Sequence, residues 1–157
     1  MKSSFLTLIL IIFQLSDFTV YEKNNFTSEK NVSNQGDNKI EMNQMKITIG
    51  SNTFTAKLLD NPTVTEFKSR LPLTIDMSEL NGNEKLYRFS TDLPVNPSNP
   101  GTLNTGDLMI YSTNTLVLFY KSFPTSYSYT KLGRIENSTG LADAVGLGSV
   151  AVTFELE

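Results

Sequence analysis

The chain contains no histidine, no cysteine and no tryptophan. Without thiolate or imidazole ligands, the common structural and catalytic zinc sites cannot be built. A Ser-His-Asp or Cys-His mechanism lacks its base. No disulfide can form, so the folded part must rest on its own core. A basic excess is also missing: 13 Lys and Arg stand against 16 Asp and Glu, for a net charge of −3. Nothing is available to neutralise a phosphate backbone, so nucleic acid is excluded as the expected partner. Hydrophobic residues make up 39% of the 157, which is too many for wholesale disorder and fits one folded domain.

The apolar residues begin at the start of the sequence. Lys2 is followed by an apolar run over residues 5–13, interrupted by Thr7. A membrane-spanning helix needs about twenty such residues. Residues 1–16 therefore read as an export signal, or as an uncleaved anchor at the membrane surface, since no A-x-A pattern follows the run. Membrane contact is expected only through this segment, and the expected location is periplasmic, cell-surface or extracellular. A lipoprotein would need a cysteine after the run. Residues 17–44 are dominated by Asn, Ser, Lys, Glu and Gln, with scattered apolar residues and no period. Such a stretch buries too little surface to offset its ordering entropy, and it reads as a disordered linker.

From Met45 the pattern changes. Lys46-Ile47-Thr48-Ile49 alternates, Gly50-Ser51-Asn52 turns, and alternation resumes through Leu58, which predicts a β-hairpin. A helix follows. Asn61 can cap it, Pro62 suits its first turn, Thr63 and Glu66 have capping-box spacing, and Val64, Phe67 and Leu71 form one apolar face ended by Pro72. Further strands are predicted over residues 73–77, 85–89, 108–111, 115–120, 131–135 and 149–156. Those at 108–111 and 115–120 are continuously apolar, as strands covered on both faces are. Residues 93–104 carry Pro94, Pro97, Pro100 and Gly101 and read as a long loop. Residues 140–145 have room for one or two helical turns. The fold class is mainly β: a closed or nearly closed barrel of about eight strands over residues 45–157, with one main helix across an opening.

Several pieces in this order resemble the bacterial cyclophilin-like family, a shortened form of the cyclophilin fold. Asn61-Pro62-Thr63-Val64-Thr65-Glu66-Phe67 resembles the start of the first cyclophilin helix. Gly106-Asp107-Leu108 falls where cyclophilins have Gly-Asp-Phe, and residues 115–120 fall on their aromatic-rich core strand. Leu132-Gly133-Arg134-Ile135 resembles their Phe-Gly-x-Val strand, and residues 140–145 the short helix after it. The resemblance implies a groove in which an arginine favours the twisted X–Pro amide. It places Arg88, in Tyr87-Arg88-Phe89, as the candidate for that arginine, Asn104 near the position of the groove glutamine, and Tyr129 where the histidine would stand. The absence of histidine and tryptophan departs from the isomerase set.

Other candidates come from the residues themselves. Arg88 reads equally as a solvated strand residue. Arg134 reads as the partner of a carboxylate such as Glu136 or Asp107, and Asp107 as a turn residue that bonds local backbone. Gly140, Gly146 and Gly148 read as turn glycines, with no dinucleotide fingerprint around them. Tyr111 and Phe119 lie on apolar strands and are expected in the core. Residues 123–129 join Phe123, Tyr127 and Tyr129 to Ser and Thr on a loop, which suits either ligand contact or capping of the barrel end. The expected binding set is thus Asn104, Phe119, Phe123, Tyr127 and Tyr129, with no metal and no cofactor. The expected function is binding of a peptide or small ligand in an apolar groove without catalysis. The alternatives are a peptidyl-prolyl isomerase acting on exported proteins and a structural or assembly module.

Overall fold

Alternation of apolar and polar residues organises the first strands. In the computed structural model, which describes residues 43–157, β1 (Gln44–Ile49) buries Met45, Ile47 and Ile49 completely and turns Lys46 and Thr48 outward. β2 (Asn52–Leu58) returns antiparallel, with Phe54, Ala56 and Leu58 on the buried side. Then come α1 (Pro62–Lys68), β3 (Leu73–Leu80), β4 (Glu84–Arg88), β5 (Thr102–Leu103), β6 (Asp107–Tyr111), β7 (Thr115–Phe119), β8 (Phe123–Pro124), β9 (Tyr129–Ile135), α2 (Leu141–Val145) and β10 (Val150–Leu156). Eight of these strands close a barrel in the order β1-β10-β3-β4-β7-β6-β9-β2, and every neighbouring pair is antiparallel. Closure leaves the barrel no open edge to pair with another chain.

The helix α1 is placed by its cap and its apolar face. Asn61 Oδ1 accepts from Val64 N–H at 2.9 Å, Pro62 occupies the first turn, and the Asn61 side-chain amide donates to the Lys131 carbonyl at 3.0 Å. Thr63 Oγ1 donates to the Pro94 carbonyl at 2.6 Å, which draws the proline-rich loop onto the helix. Val64 and Phe67 are buried in the main core. The Phe67 ring meets Phe89 and Phe154 edge-on, at 6.5 and 6.1 Å, and burying it contributes about 2 kcal/mol.

The helix differs from the sequence expectation in two ways. It ends at Lys68 rather than at Pro72, because Ser69, Arg70 and Leu71 donate backward in a tightening last turn. Glu66 also does not close a capping box: its carboxylate takes Arg70 instead, at 3.0 Å. A second short helix, α2, occupies the predicted place and buries Leu141 and Val145. The export and linker segments, residues 1–42, lie outside the described residues.

The continuous apolar character of β6 and β7 has a two-sided explanation. Leu108, Ile110, Leu116 and Leu118 point into the barrel. Met109, Val117 and Phe119 point outward into a second cluster with Leu103 and Tyr129. That outer cluster is roofed by the two-stranded sheet β5-β8, where Leu103 pairs with Phe123. The segment over residues 93–104, expected as loop alone, thus supplies one strand of a cover for the outer face.

Candidate functional site

The period of two in each strand decides what faces the outside between β4 and β9. On β4, Lys85 turns inward, whereas Glu84 and Leu86 face out. On β7, Thr115 and Val117 share that outer face, and on β6 Tyr111 does. The register sets Leu86 opposite Val117, Thr115 opposite Tyr111, and Tyr111 opposite Tyr129. The β5-β8 cover reaches only part of this surface. Beyond it lies a concavity of about 230 Å³ lined by Leu80, Asn81, Glu84, Leu86, Tyr111, Thr115, Val117, Tyr127 and Tyr129.

Its walls are aromatic. The Tyr111 ring lies 5.5 Å from Tyr129 at an interplanar angle of 50°, and 6.1 Å from Tyr127 at 85°. Tyr129 continues edge-on to Phe119 at 5.6 Å, and Phe119 to Phe123 at 5.8 Å. Five rings therefore form one chain from the buried cover to the open concavity. Tyr111 is 41% exposed and Tyr127 62%, although Tyr129 beside them is buried. Tyr111, expected in the core, is in fact a wall of the concavity: it is the last residue of β6 on the outer face, past the reach of the cover.

Glu84 is the one ionisable carboxyl in the lining, and it is only 9% exposed. No side chain or backbone group among the described residues donates to it or pairs with it. Burial, reinforced by the charge of Glu79, pushes its carboxyl above the ordinary value. Burial also pushes up the Tyr129 phenol, and the Glu84 charge adds to that against a hydrogen bond from Thr125.

The neighbouring inward residue behaves oppositely. Lys85 is fully buried, yet its ammonium group reaches the Gly146 carbonyl at 3.0 Å, the Gly148 carbonyl at 2.5 Å and Glu79 Oε2 at 2.7 Å. The Tyr120 hydroxyl donates to Glu79 Oε1 at 2.8 Å. Burial favours the neutral form of Glu79, but the Lys85, Tyr120 and Gly82 contacts outweigh it and hold the carboxyl below its usual value. Burial and the Glu79 bond drive the Tyr120 phenol up to about 12. This set is structural: it ties the 146–148 turn to β4.

The remaining candidates are not lining residues of the concavity. Arg88 ends β4 on the same outer face as Glu84 and Leu86, opposite the lining residue Thr115, and is exposed at the edge of the concavity without lining it. It has the character of a solvated strand residue. Asp107 is buried, with Oδ1 taking Arg134 Nε at 2.6 Å and Oδ2 taking Asn104 N–H at 2.8 Å. The Asp107 bond holds the Arg134 guanidinium above its usual value. With both oxygens committed, Asp107 is a turn and ion-pair residue rather than a base. Asn104 sits in that turn, away from the tyrosines. Of the expected binding residues, the structure brings Tyr127 and Tyr129 to the concavity, sets Phe119 and Phe123 behind them, and leaves Asn104 elsewhere. Sequence reasoning missed Glu84, Leu86, Val117 and Thr115, whose common face depends on pairing between strands distant in sequence.

A family model described as the cyclophilin-like family matches residues 47–155. The chain belongs to the cyclophilin-like family. A similar solved structure is the solution structure of a hypothetical protein from Archaeoglobus fulgidus, with a TM-score of 0.55 and 21% sequence identity, over 75% of this chain and 96% of that one. That likeness concerns the fold. No curated protein matches the chain. Within this cyclophilin-like barrel, Leu132-Gly133-Arg134-Ile135 forms the second half of β9 and Gly106-Asp107-Leu108 opens β6, so two segments that carried the resemblance face each other across the β6–β9 ladder.

Proposed function

We propose that this cyclophilin-like domain is a non-catalytic binding module. It works outside the cytoplasm, carried there by residues 1–16, and takes a peptide segment or small ligand into the tyrosine-lined concavity. The observation that carries this reading is the cost of leaving Tyr111 and Tyr127 open beside Glu84, a largely buried residue whose carboxyl has no partner among the described residues. A barrel that needed only to be capped would have drawn these rings under the β5-β8 cover. Amphipathic tyrosines on a concave surface suit recognition, with the ring for contact and the hydroxyl for water or ligand.

The isomerase alternative is disfavoured by the position of Arg88. Rotation about a peptide bond faces a barrier of about 18–20 kcal/mol, and lowering it needs a donor held against the twisted amide. Arg88 is exposed beside Thr115, no hydrogen bond or ion pair among the described residues holds its guanidinium in place, and the lining itself contains no cation. In a protease-coupled assay of X–Pro isomerisation, the protein gives the uncatalysed rate, and Arg88→Ala leaves that rate unchanged. Activity well above background that vanishes in Arg88→Ala overturns the reading.

A further inference from the structure

We propose that the concavity binds the quaternary ammonium group of a small organic cation, with Glu84 as counter-charge and the rings of Tyr111, Tyr127 and Tyr129 as walls. This names the ligand class for the binding reading above and rests on it.

The first observation is a missing partner. A buried carboxylate is costly unless it is paired or richly hydrogen-bonded. The other two carboxylates in this part of the barrel obey that rule: Asp107 has Arg134 at 2.6 Å and Glu79 has Lys85 at 2.7 Å. Glu84 is 9% exposed and has neither cation nor donor among the described residues. Lys85 cannot serve, because its ammonium group turns to the other side of the sheet and is shared by Glu79 and two carbonyls. Glu84 thus faces the concavity with its charge uncompensated.

The second observation is independent of charge. Three tyrosine rings meet at 5.5 and 6.1 Å with their planes turned by 50° and 85°. Rings set at such angles form a corner, and a corner presents negative π-faces in more than one direction. A cation is attracted to those faces most strongly where water is excluded.

Together these select among cations. A primary ammonium brings three N–H donors and needs acceptors for each. The ring faces supply none, and beyond the Glu84 carboxylate the acceptors are the neutral oxygens of Asn81, Thr115 and the phenols. A hard metal ion favours several carboxylate and carbonyl oxygens, and this lining holds one carboxylate. A methylated ammonium has no N–H to satisfy and an apolar surface that suits Leu86, Val117 and the rings. The size also fits a small molecule: about 230 Å³ lies below the roughly 300–1,000 Å³ of sites for drug-sized ligands.

The test is an NMR titration of the full chain with choline chloride, against sodium chloride at equal ionic strength and against 3,3-dimethylbutan-1-ol, the neutral isostere. Choline is expected to shift Glu84, Leu86, Tyr111 and Val117 saturably, with the isostere weaker by about ten-fold or more. Glu84→Gln keeps the fold, since it removes a buried charge, and weakens choline by about ten-fold. Tyr127→Ala, at a largely exposed position, does the same. Equal binding of choline and its isostere overturns the cation assignment and leaves the groove reading standing, as does undiminished binding by Glu84→Gln. Absence of choline shifts at these residues also overturns the assignment. A trimethyllysine peptide that binds far tighter than choline overturns the small-molecule source. The groove reading falls separately, when peptide mixtures also leave these residues unmoved.

Discussion

Gly133→Ala lowers the stability of the domain by about 3 kcal/mol or more, or prevents its folding. Gly133 pairs with Leu58 where β9 meets β2. A Cβ added there would fall inside the contact distance of the Lys57 carbonyl oxygen and 3.0 Å from Leu58 Cα. Both obstacles are backbone, so neither can rotate away. Relief requires β2 and β9 to separate, and in a closed barrel that strains every other pair. The glycine of the Leu-Gly-Arg-Ile segment is thus required by close strand approach rather than by a turn. Urea unfolding followed by far-ultraviolet circular dichroism measures the loss. A variant as stable as the wild type would show that the two strands are further apart than described.

Lys85→Met has the second large effect, a loss of about 3 kcal/mol. The methionine fills most of the volume but leaves the Gly146 and Gly148 carbonyls without their donor and Glu79 without its cation. The Tyr120 ring, 5.6 Å from the ammonium group, loses its cation as well. The effect depends on pH. Glu79 is held below its ordinary value in the folded state. Its contribution is therefore present above that value and lost as pH falls through the lower folded one. Lys85→Met removes the main cause of that shift, so the gap between variant and wild type narrows under acid conditions. Denaturant midpoints measured across the acidic range check this, and a gap that widens as pH falls contradicts it.

Much of the barrel can be read along the chain because the barrel interior follows period two. Met45, Ile47 and Ile49 in β1 and Val152 and Phe154 in β10 announce both strand and buried face. Asn61 and Pro62 announce the start of α1, since the cap is a local interaction. The site was less legible for a specific reason. In β6 and β7 both faces are apolar, so alternation does not reveal which residues point outward. Tyr111 therefore reads like Phe119, although one is open and the other is roofed by β5-β8. The roof was hidden because its strands have two residues each and lie among prolines. Glu84 lies just before the strand expected over residues 85–89, so nothing local marks the face it takes. Only the pairing of β4 with β7 sets it on the face that holds the tyrosines. Arg134 was resolved to Asp107 rather than Glu136 by the β6–β9 register, which sets the two residues opposite each other.

Recognition is placed at the tyrosines on the outer face between β4 and β9, with Arg88 at the edge of that surface rather than at its centre. The deciding measurement is an NMR titration of the isotope-labelled full chain with choline and, separately, with a mixture of short proline-containing and aromatic peptides. With at least one of these ligands the perturbed signals are expected to gather on Glu84, Leu86, Tyr111, Val117, Tyr127 and Tyr129. Perturbations centred on Arg88 and Asn104, with Tyr127 and Tyr129 unmoved, would contradict this placement.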